Sequence, residues 1–165
     1  MSLFENDEYQ WRETYFIFLD AARRPTAEAM TKTLKRLGRR YVLRDVRADE
    51  QGGFESLTLI SPDDYAAMDI ACVTGEEVTE QAHELSQVLK RSAATDEERR
   101  KIQHICNCTA RLDILHFEQI VVTGSNGDQD DEEEFLDPGS LLIVLERLAE
   151  LCDGVVVDPQ SGSVS

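Results

Sequence analysis

The sequence predicts an α+β protein in which helices cover one face of a largely antiparallel sheet. Short runs of aromatic and β-branched residues, typical of strands, alternate along the chain with amphipathic segments of helical period. Three of the predicted strands follow one another with only turns between them, and such close succession favours antiparallel pairing. The order β-α-β-β-β-α-α-β-α-β predicts an elaborated ferredoxin-like core in a single domain over residues 1–165.

The first half of the chain is predicted to hold a strand, a helix and then the three successive strands. The segment "TYFIFLD" (14–20) is rich in aromatic and β-branched residues, which favours a strand. The segment "TAEAMTKTLKRLG" (26–38) predicts a helix, because Thr26 suits the N-cap and Gly38 suits the position after the last turn. The successive strands are expected over residues 40–46, 54–61 and 65–73.

The second half is predicted to hold three helices and two strands. Two of the helices begin with capping boxes, Thr74 with Glu77 and Thr95 with Glu98, and the third is expected to end before Gly154. The expected helices span 74–90, 95–106 and 137–154, the strands span 110–122 and 155–157, an acidic loop spans 124–137 and a polar tail spans 158–165.

The net charge of −16, from 33 acidic and 17 basic residues, restricts the kinds of partner. Such a field repels polyanions, so we expect no nucleic acid and no membrane, and we keep a protein partner or a homodimer open. No apolar run approaches the roughly 18 residues of a spanning helix, and the acidic start is unlike a secretory signal. We therefore expect a cytoplasmic protein with reduced thiols at Cys72, Cys106, Cys108 and Cys152.

Two histidines and two cysteines fall within the segment "RRKIQHICNCTARLDILHFEQ". One interpretation is a zinc site of His104, Cys108 and His116, with Cys72 or a carboxylate as the fourth ligand. The sequence lacks the close pairs that structural zinc sites use, so we favour cysteines that pack as small apolar residues and predict no metal or cofactor. A nucleophilic Cys106 or Cys108 would need a histidine base within hydrogen-bonding reach.

Basic residues are concentrated between positions 23 and 47, a segment that contains nine basic residues and only two acidic ones. Those that precede the predicted first helix lie where free backbone N–H groups favour an anion. We define a basic patch, a candidate site for an anion or an acidic partner, as Arg23, Arg24, Lys32, Lys35, Arg36, Arg39 and Arg40. The alternative is a solvated helix face whose charge balances acids elsewhere in the fold.

Acidic residues dominate the second half, with thirteen acids and one base between positions 113 and 158. The run "DQDDEEEF" lacks the spacing of oxygen ligands that a calcium-binding EF-hand loop has. We therefore favour a solvated loop over a metal site. Its candidate residues for contact with a basic partner are Asp128, Asp130, Asp131, Glu132, Glu133 and Glu134.

Four stretches that together cover most of the chain carry a resemblance: "FENDEYQWRETYFIFL", "DVRADEQGGFESLTL", "YAAMDIACVTGEEVTEQ" and "GVVVDPQSG". On these stretches the chain resembles an uncharacterised bacterial family of hypothetical proteins of unknown function. The resemblance implies a cytoplasmic, bacterial, single-domain α+β protein. It implies no activity, cofactor or catalytic residue.

The sequence favours a non-enzymatic binding or protein-interaction module, because its charge is bipolar and recognised catalytic motifs are absent from it. One alternative is a small-molecule or anion-binding enzyme that uses the basic start of the first helix, with Asp45 or Asp69 as acid or base. A second alternative is an acidic inhibitor or immunity-like protein that covers a basic partner with residues 128–137.

Overall fold

Six antiparallel strands form one sheet in a computed structural model that describes residues 7–37, 40–120 and 139–165. The α+β class and the antiparallel sheet are therefore confirmed. In chain order the elements are β1 (Tyr9–Leu19), α1 (Ala27–Lys35), β2 (Val42–Ala48), β3 (Phe54–Ser61), β4 (Ala66–Thr74), α2 (Glu76–Lys90), α3 (Asp96–Cys106), β5 (Ala110–Gln119), α4 (Gly139–Cys152) and β6 (Val155–Val157). Within the described ranges, none of these helices is both long enough and apolar enough to cross a membrane.

The strands lie in the order β2-β3-β4-β5-β1-β6. The strands β2, β3 and β4 form a meander that continues into β5, and β1 is inserted between β5 and β6. This order does not confirm the predicted ferredoxin-like core. It brings the start and the end of the chain together, because β1 pairs with the last strand.

The helices are divided between the two faces of the sheet, which corrects the prediction that they cover one face. Ile17 belongs to a buried cluster with residues of α1 and α4, whereas Phe18 belongs to a second cluster with residues of α2 and α3. Neighbouring residues of a strand point to opposite faces. Val156 and Val157 of β6 repeat the same division. The helices α1 and α4 therefore cover one face, and α2 and α3 pack on the other.

Of the N-caps predicted for the first three helices, two are confirmed. The side chains of Thr26 and Thr95 accept hydrogen bonds from backbone N–H groups in the first turns of α1 and α3. The prediction for Thr74 is wrong, since β4 extends to this residue and Gly75 precedes α2 with a φ of 125°. A glycine adopts this backbone conformation without steric cost, so the strand passes directly into the helix.

The turn between α4 and β6 differs from the one we expected. Asp153, with a φ of 52°, takes the left-handed conformation that we expected of Gly154. Gly154 instead allows close packing, because a Cβ atom built on it would lie 2.6 Å from a methyl carbon of Ile17 and 2.9 Å from the carbonyl oxygen of Phe18. The glycine thus lets the chain approach β1 closely just before β6 begins.

Candidate ligand-binding cleft

A cleft with a volume of about 800 Å³ opens beside β6, which lies at one edge of the sheet. Its two sides come from α3 and α4, which pack on opposite faces of the sheet. The tail after β6 folds back along this strand, so that Val157 bridges to Val164 and Val156 exchanges backbone hydrogen bonds with Ser165. Two helices and the tail therefore surround the cleft.

Apolar side chains of α4 and β6 line part of the cleft. Leu145 and Val156 are almost fully buried, and Ala149 is partly exposed. Leu142 also lines the cleft, although 53% of its surface is exposed. An exposed leucine in a concave surface gives a ligand apolar area to remove from water.

The helix α3 brings basic side chains to its side of the cleft. Arg100, Lys101 and His104 line this side. Lys101 also forms an ion pair with Glu97, with 3.4 Å between Nζ and Oε1. His104 donates its Nε2–H to the carbonyl oxygen of Asp153 at 2.9 Å, since a carbonyl can only accept. This bond ties α3 to the turn that precedes β6.

Acidic side chains lie on the opposite side of the cleft and at its tail end. Glu146 and Glu150 come from α4. Asp158 begins the tail and holds its turn, because its carboxylate accepts hydrogen bonds from the backbone of Gln160 at 2.9 Å and from the hydroxyl of Ser161 at 2.8 Å. The tail is therefore an ordered part of the cleft.

Tyr15 of β1 adds a phenol group to the cleft. Burial raises the pKa of Tyr15, and the negative charges of Glu13 and Asp158 raise it further. The phenol therefore stays protonated at neutral pH and can donate a hydrogen bond. Together with the apolar and charged side chains, it makes the cleft suited to a compact molecule with both apolar and polar parts.

The members of the basic patch have different roles in the structure. Arg24 turns inward, where its guanidinium donates to the carbonyl oxygen of Phe54 at 2.7 and 2.9 Å and pairs with Asp49 at 3.2 Å. Lys32 pairs with Glu28, one turn earlier on α1, at 2.9 Å. The exposed members are Arg23, Lys32, Lys35, Arg36 and Arg40, and Arg39 lies outside the described residues. Arg24 is thus part of the fold, and the exposed cations lie before, within and after α1.

The other candidate acids either lie in the sheet or fall outside the described residues. Asp69 of β4 accepts a hydrogen bond from the hydroxyl of Thr58 at 2.7 Å, and Asp45 lies in β2 with a φ of 52°. Neither of them lines the cleft. The acidic run, with Asp128, Asp130, Asp131, Glu132, Glu133 and Glu134, lies outside the described residues.

The residues of the suggested zinc site have separate partners. Cys108 is buried and donates its S–H to the backbone carbonyl of His104 at 3.2 Å, and burial raises the pKa of this thiol to about 12. His116 lies in β5 beside Glu13, where burial lowers its pKa. The 3.5 Å between its Nδ1 and Glu13 Oε1 is a contact without a hydrogen bond, since Nδ1 is buried and unpartnered. Among the described residues, no group of three or more His, Cys, Asp or Glu side chains could hold a metal ion.

Cys106 and Cys108 differ in their surroundings, although we expected both to pack as small apolar residues. Cys106, the last residue of α3, is partly exposed and lies beside His83 of α2. The chain leaves the helix at Asn107, so that Cys108 turns into the core. Only Cys108 of this pair therefore has the structural role that we predicted.

The cleft has no motif in the sequence that predicts it as a site. One local signal points to it: Leu142 lies off the stripe of helical period formed by Leu141, Leu145 and Leu148, which are buried. An apolar residue off the buried stripe marks an exposed apolar position on a helix. Leu151 carries the same signal on α4 but does not line the cleft, so the signal alone does not locate it.

No family model matches the chain, and no curated protein or solved structure matches it either. The resemblance to a bacterial family stays a prediction.

Proposed function

We propose that this protein is a cytoplasmic, non-enzymatic binding module and that its ligand occupies the cleft between α3, α4 and the tail. The observation that carries the proposal is the cleft itself, about 800 Å³ in volume, with the exposed Leu142 in its lining. This volume falls within the range of roughly 300–1,000 Å³ that is typical of small-molecule sites.

The chemistry of the cleft indicates the class of ligand. Leu142, Leu145 and Ala149 favour an apolar body. Arg100 and Lys101 favour an anionic group at the α3 side of that body. A compact amphiphile with an apolar ring or chain and one anionic group fits both requirements when that group faces α3, away from the carboxylates of Glu146 and Glu150 on α4.

The enzyme and inhibitor alternatives stay predictions. The enzyme alternative relies on the start of α1, where Arg24 donates hydrogen bonds to the Phe54 carbonyl and pairs with Asp49. The inhibitor alternative relies on residues 128–137, which lie outside the described part of the chain. The binding role is supported by the side chains that line the cleft, and these are more numerous than the described side chains that support the enzyme or the inhibitor alternative.

Binding of the fluorescent amphiphile 1-anilinonaphthalene-8-sulfonate to the folded chain tests the proposal. Its aromatic rings match the apolar lining and its sulfonate matches Arg100 and Lys101. We expect Leu142→Glu to weaken this binding about fivefold or more, because half-burial of a leucine contributes about 1 kcal/mol. Saturable binding measured by fluorescence titration would give the affinities.

The matched control is Leu151→Glu, the same substitution at another exposed leucine of α4. Leu151 is 36% exposed and does not line the cleft, so this variant should bind as the unsubstituted protein does. Equal affinities of the two variants would contradict the proposal, and so would the absence of saturable binding by the unsubstituted protein. Circular dichroism would establish that each variant is folded.

A further inference from the structure

The helices α2 and α3 bring a thiol and an imidazole together at a site separate from the cleft. Cys106 Sγ lies 3.5 Å from His83 Nδ1, which is hydrogen-bonding distance for sulfur. The other ring nitrogen, His83 Nε2, lies 3.0 Å from the terminal nitrogen of the Gln87 side-chain amide, one helical turn further along α2. Cys106 as nucleophile, His83 as base and Gln87 as the group that orients the base thus form a continuous series of contacts.

The four thiols of the chain differ in their surroundings: Cys108 and Cys152 are buried, whereas Cys72 and Cys106 are partly exposed. Burial raises the pKa of Cys108 to about 12 and that of Cys152 to about 11, and both donate their S–H to backbone carbonyls of the preceding turn. Burial also raises the pKa of Cys72, against the nearby charge of Arg24. These three thiols are held protonated in the fold, and protonated thiols are poor nucleophiles.

Cys106 differs from these three thiols because an imidazole lies beside it. It is partly exposed at the end of α3, and His83 beside it is exposed on α2. A small reagent can therefore reach the sulfur atom while the imidazole stays in contact with it. Accessibility and a neighbouring base are the two conditions under which a cysteine becomes selectively reactive.

We propose that Cys106 is a thiol-modification site, with His83 as its base, that forms a mixed disulfide with low-molecular-weight disulfides. His83 Nδ1 accepts the proton of Cys106, and the resulting thiolate attacks one sulfur of the reagent. The sulfur–sulfur bond of the reagent breaks as the new bond to Cys106 Sγ forms. The leaving thiolate takes the proton from the imidazolium, so one thiol is consumed and one is released.

Gln87 stabilises the intermediate charge on His83. A neutral His83 that accepts the thiol proton at Nδ1 already carries its ring proton on Nε2, so Nε2 needs an acceptor before and after the transfer. The amide of Gln87 supplies one when its oxygen faces Nε2, and the oxygen and nitrogen of an amide exchange places by rotation about one bond. Gln87→Glu, which places a carboxylate there, is expected to raise the rate of modification about twofold or more.

The test uses the reduced, folded full chain and the uncharged aromatic disulfide 2,2′-dithiodipyridine in a small excess. We expect the first mixed disulfide to form on Cys106, as located by mass spectrometry of peptides, and Cys106→Ser to remove this first adduct. In His83→Asn the rate should fall at least about fivefold, because loss of a positioned base removes a catalytic effect of this order or larger.

The matched control is His116→Asn, which replaces a histidine of β5 on the face of the sheet opposite to α2 and α3. Its imidazole lies beside Glu13, so the rate of Cys106 modification should remain that of the unsubstituted protein. First modification of Cys72, Cys108 or Cys152 would overturn the proposal. A fall of less than fivefold in His83→Asn, or an equal fall in the control, would overturn it as well.

Discussion

The two edges of the sheet differ in length, charge and shape. The edge strand β2 has seven residues, carries Arg44 and Arg47, and exposes Val42 and Val46 to 41% each. Its pairing with β3 is irregular between Arg44 and Arg47, where Asp45 has a positive φ. The other edge strand, β6, has three residues, is paired with the tail and borders the cleft.

The difference shows that an exposed edge strand with basic side chains need not be the edge that borders a concave surface. Charged side chains and backbone irregularity on an exposed edge are the means by which sheets avoid unwanted pairing with other strands. The basic side chains of β2 are consistent with that role. The opposite edge holds the concave surface, and a ligand is enclosed better there.

Glycine substitutions should separate the two edges by the largest amount. Gly154→Ala should lower the free energy of unfolding by about 3 kcal/mol, because the added methyl group would overlap Ile17 and the Phe18 carbonyl. Gly52→Ala, near β2, should cost about 1 kcal/mol, since it meets open space and only its φ of 84° is unfavourable. Urea unfolding measures both, and equal losses would contradict the close packing at β6.

Two adjacent arginines before α1 test whether the basic patch is uniform. Arg24→Ala should destabilise the protein by about 2 kcal/mol, because the guanidinium donates two hydrogen bonds to the Phe54 carbonyl. Arg23→Ala should change the stability by less than about 0.5 kcal/mol, since this side chain is exposed. If chemical denaturation finds the two variants equally stable, the inward role of Arg24 is wrong.

The helix that bears the basic side of the cleft depends on its cap. Thr95→Ala should cost about 1 kcal/mol, because the Thr95 hydroxyl accepts the Glu98 N–H at 3.1 Å. Thr74→Ala should cost less than about 0.5 kcal/mol, since Thr74 ends β4 and does not cap α2. Thermal unfolding of both variants checks the order, and a larger loss at Thr74 would contradict it.

Local patterns predicted most elements, because they depend on neighbouring residues. The caps at Thr26 and Thr95 and the strand that begins near Phe54 follow from short stretches of sequence. The prediction at Thr74 failed because the neighbouring Gly75 lets the chain pass from β4 into α2 through its backbone conformation, without a side-chain cap. The division of helices between two faces depends on strand order, which local patterns do not contain.

The cleft could not be predicted for the same reason. It joins Tyr15 near the start of the chain to Arg100 of α3, Leu142 of α4 and Asp158 of the tail. Only the insertion of β1 between β5 and β6 brings these residues to one place. The charge of the basic patch was visible in the sequence, whereas the inward turn of Arg24 depends on its tertiary contacts with Phe54 and Asp49.

The most direct test of the ligand site is amide chemical-shift mapping during titration with 1-anilinonaphthalene-8-sulfonate. The largest shifts are predicted for residues 100–104, 142–156 and 158–165, at the β6 edge. Residues 42–48 of β2 should shift little, although the basic residues there would attract the same sulfonate by charge alone. Shifts concentrated at 42–48 and in α1, with little change around β6, would contradict the assignment of the ligand site to the cleft.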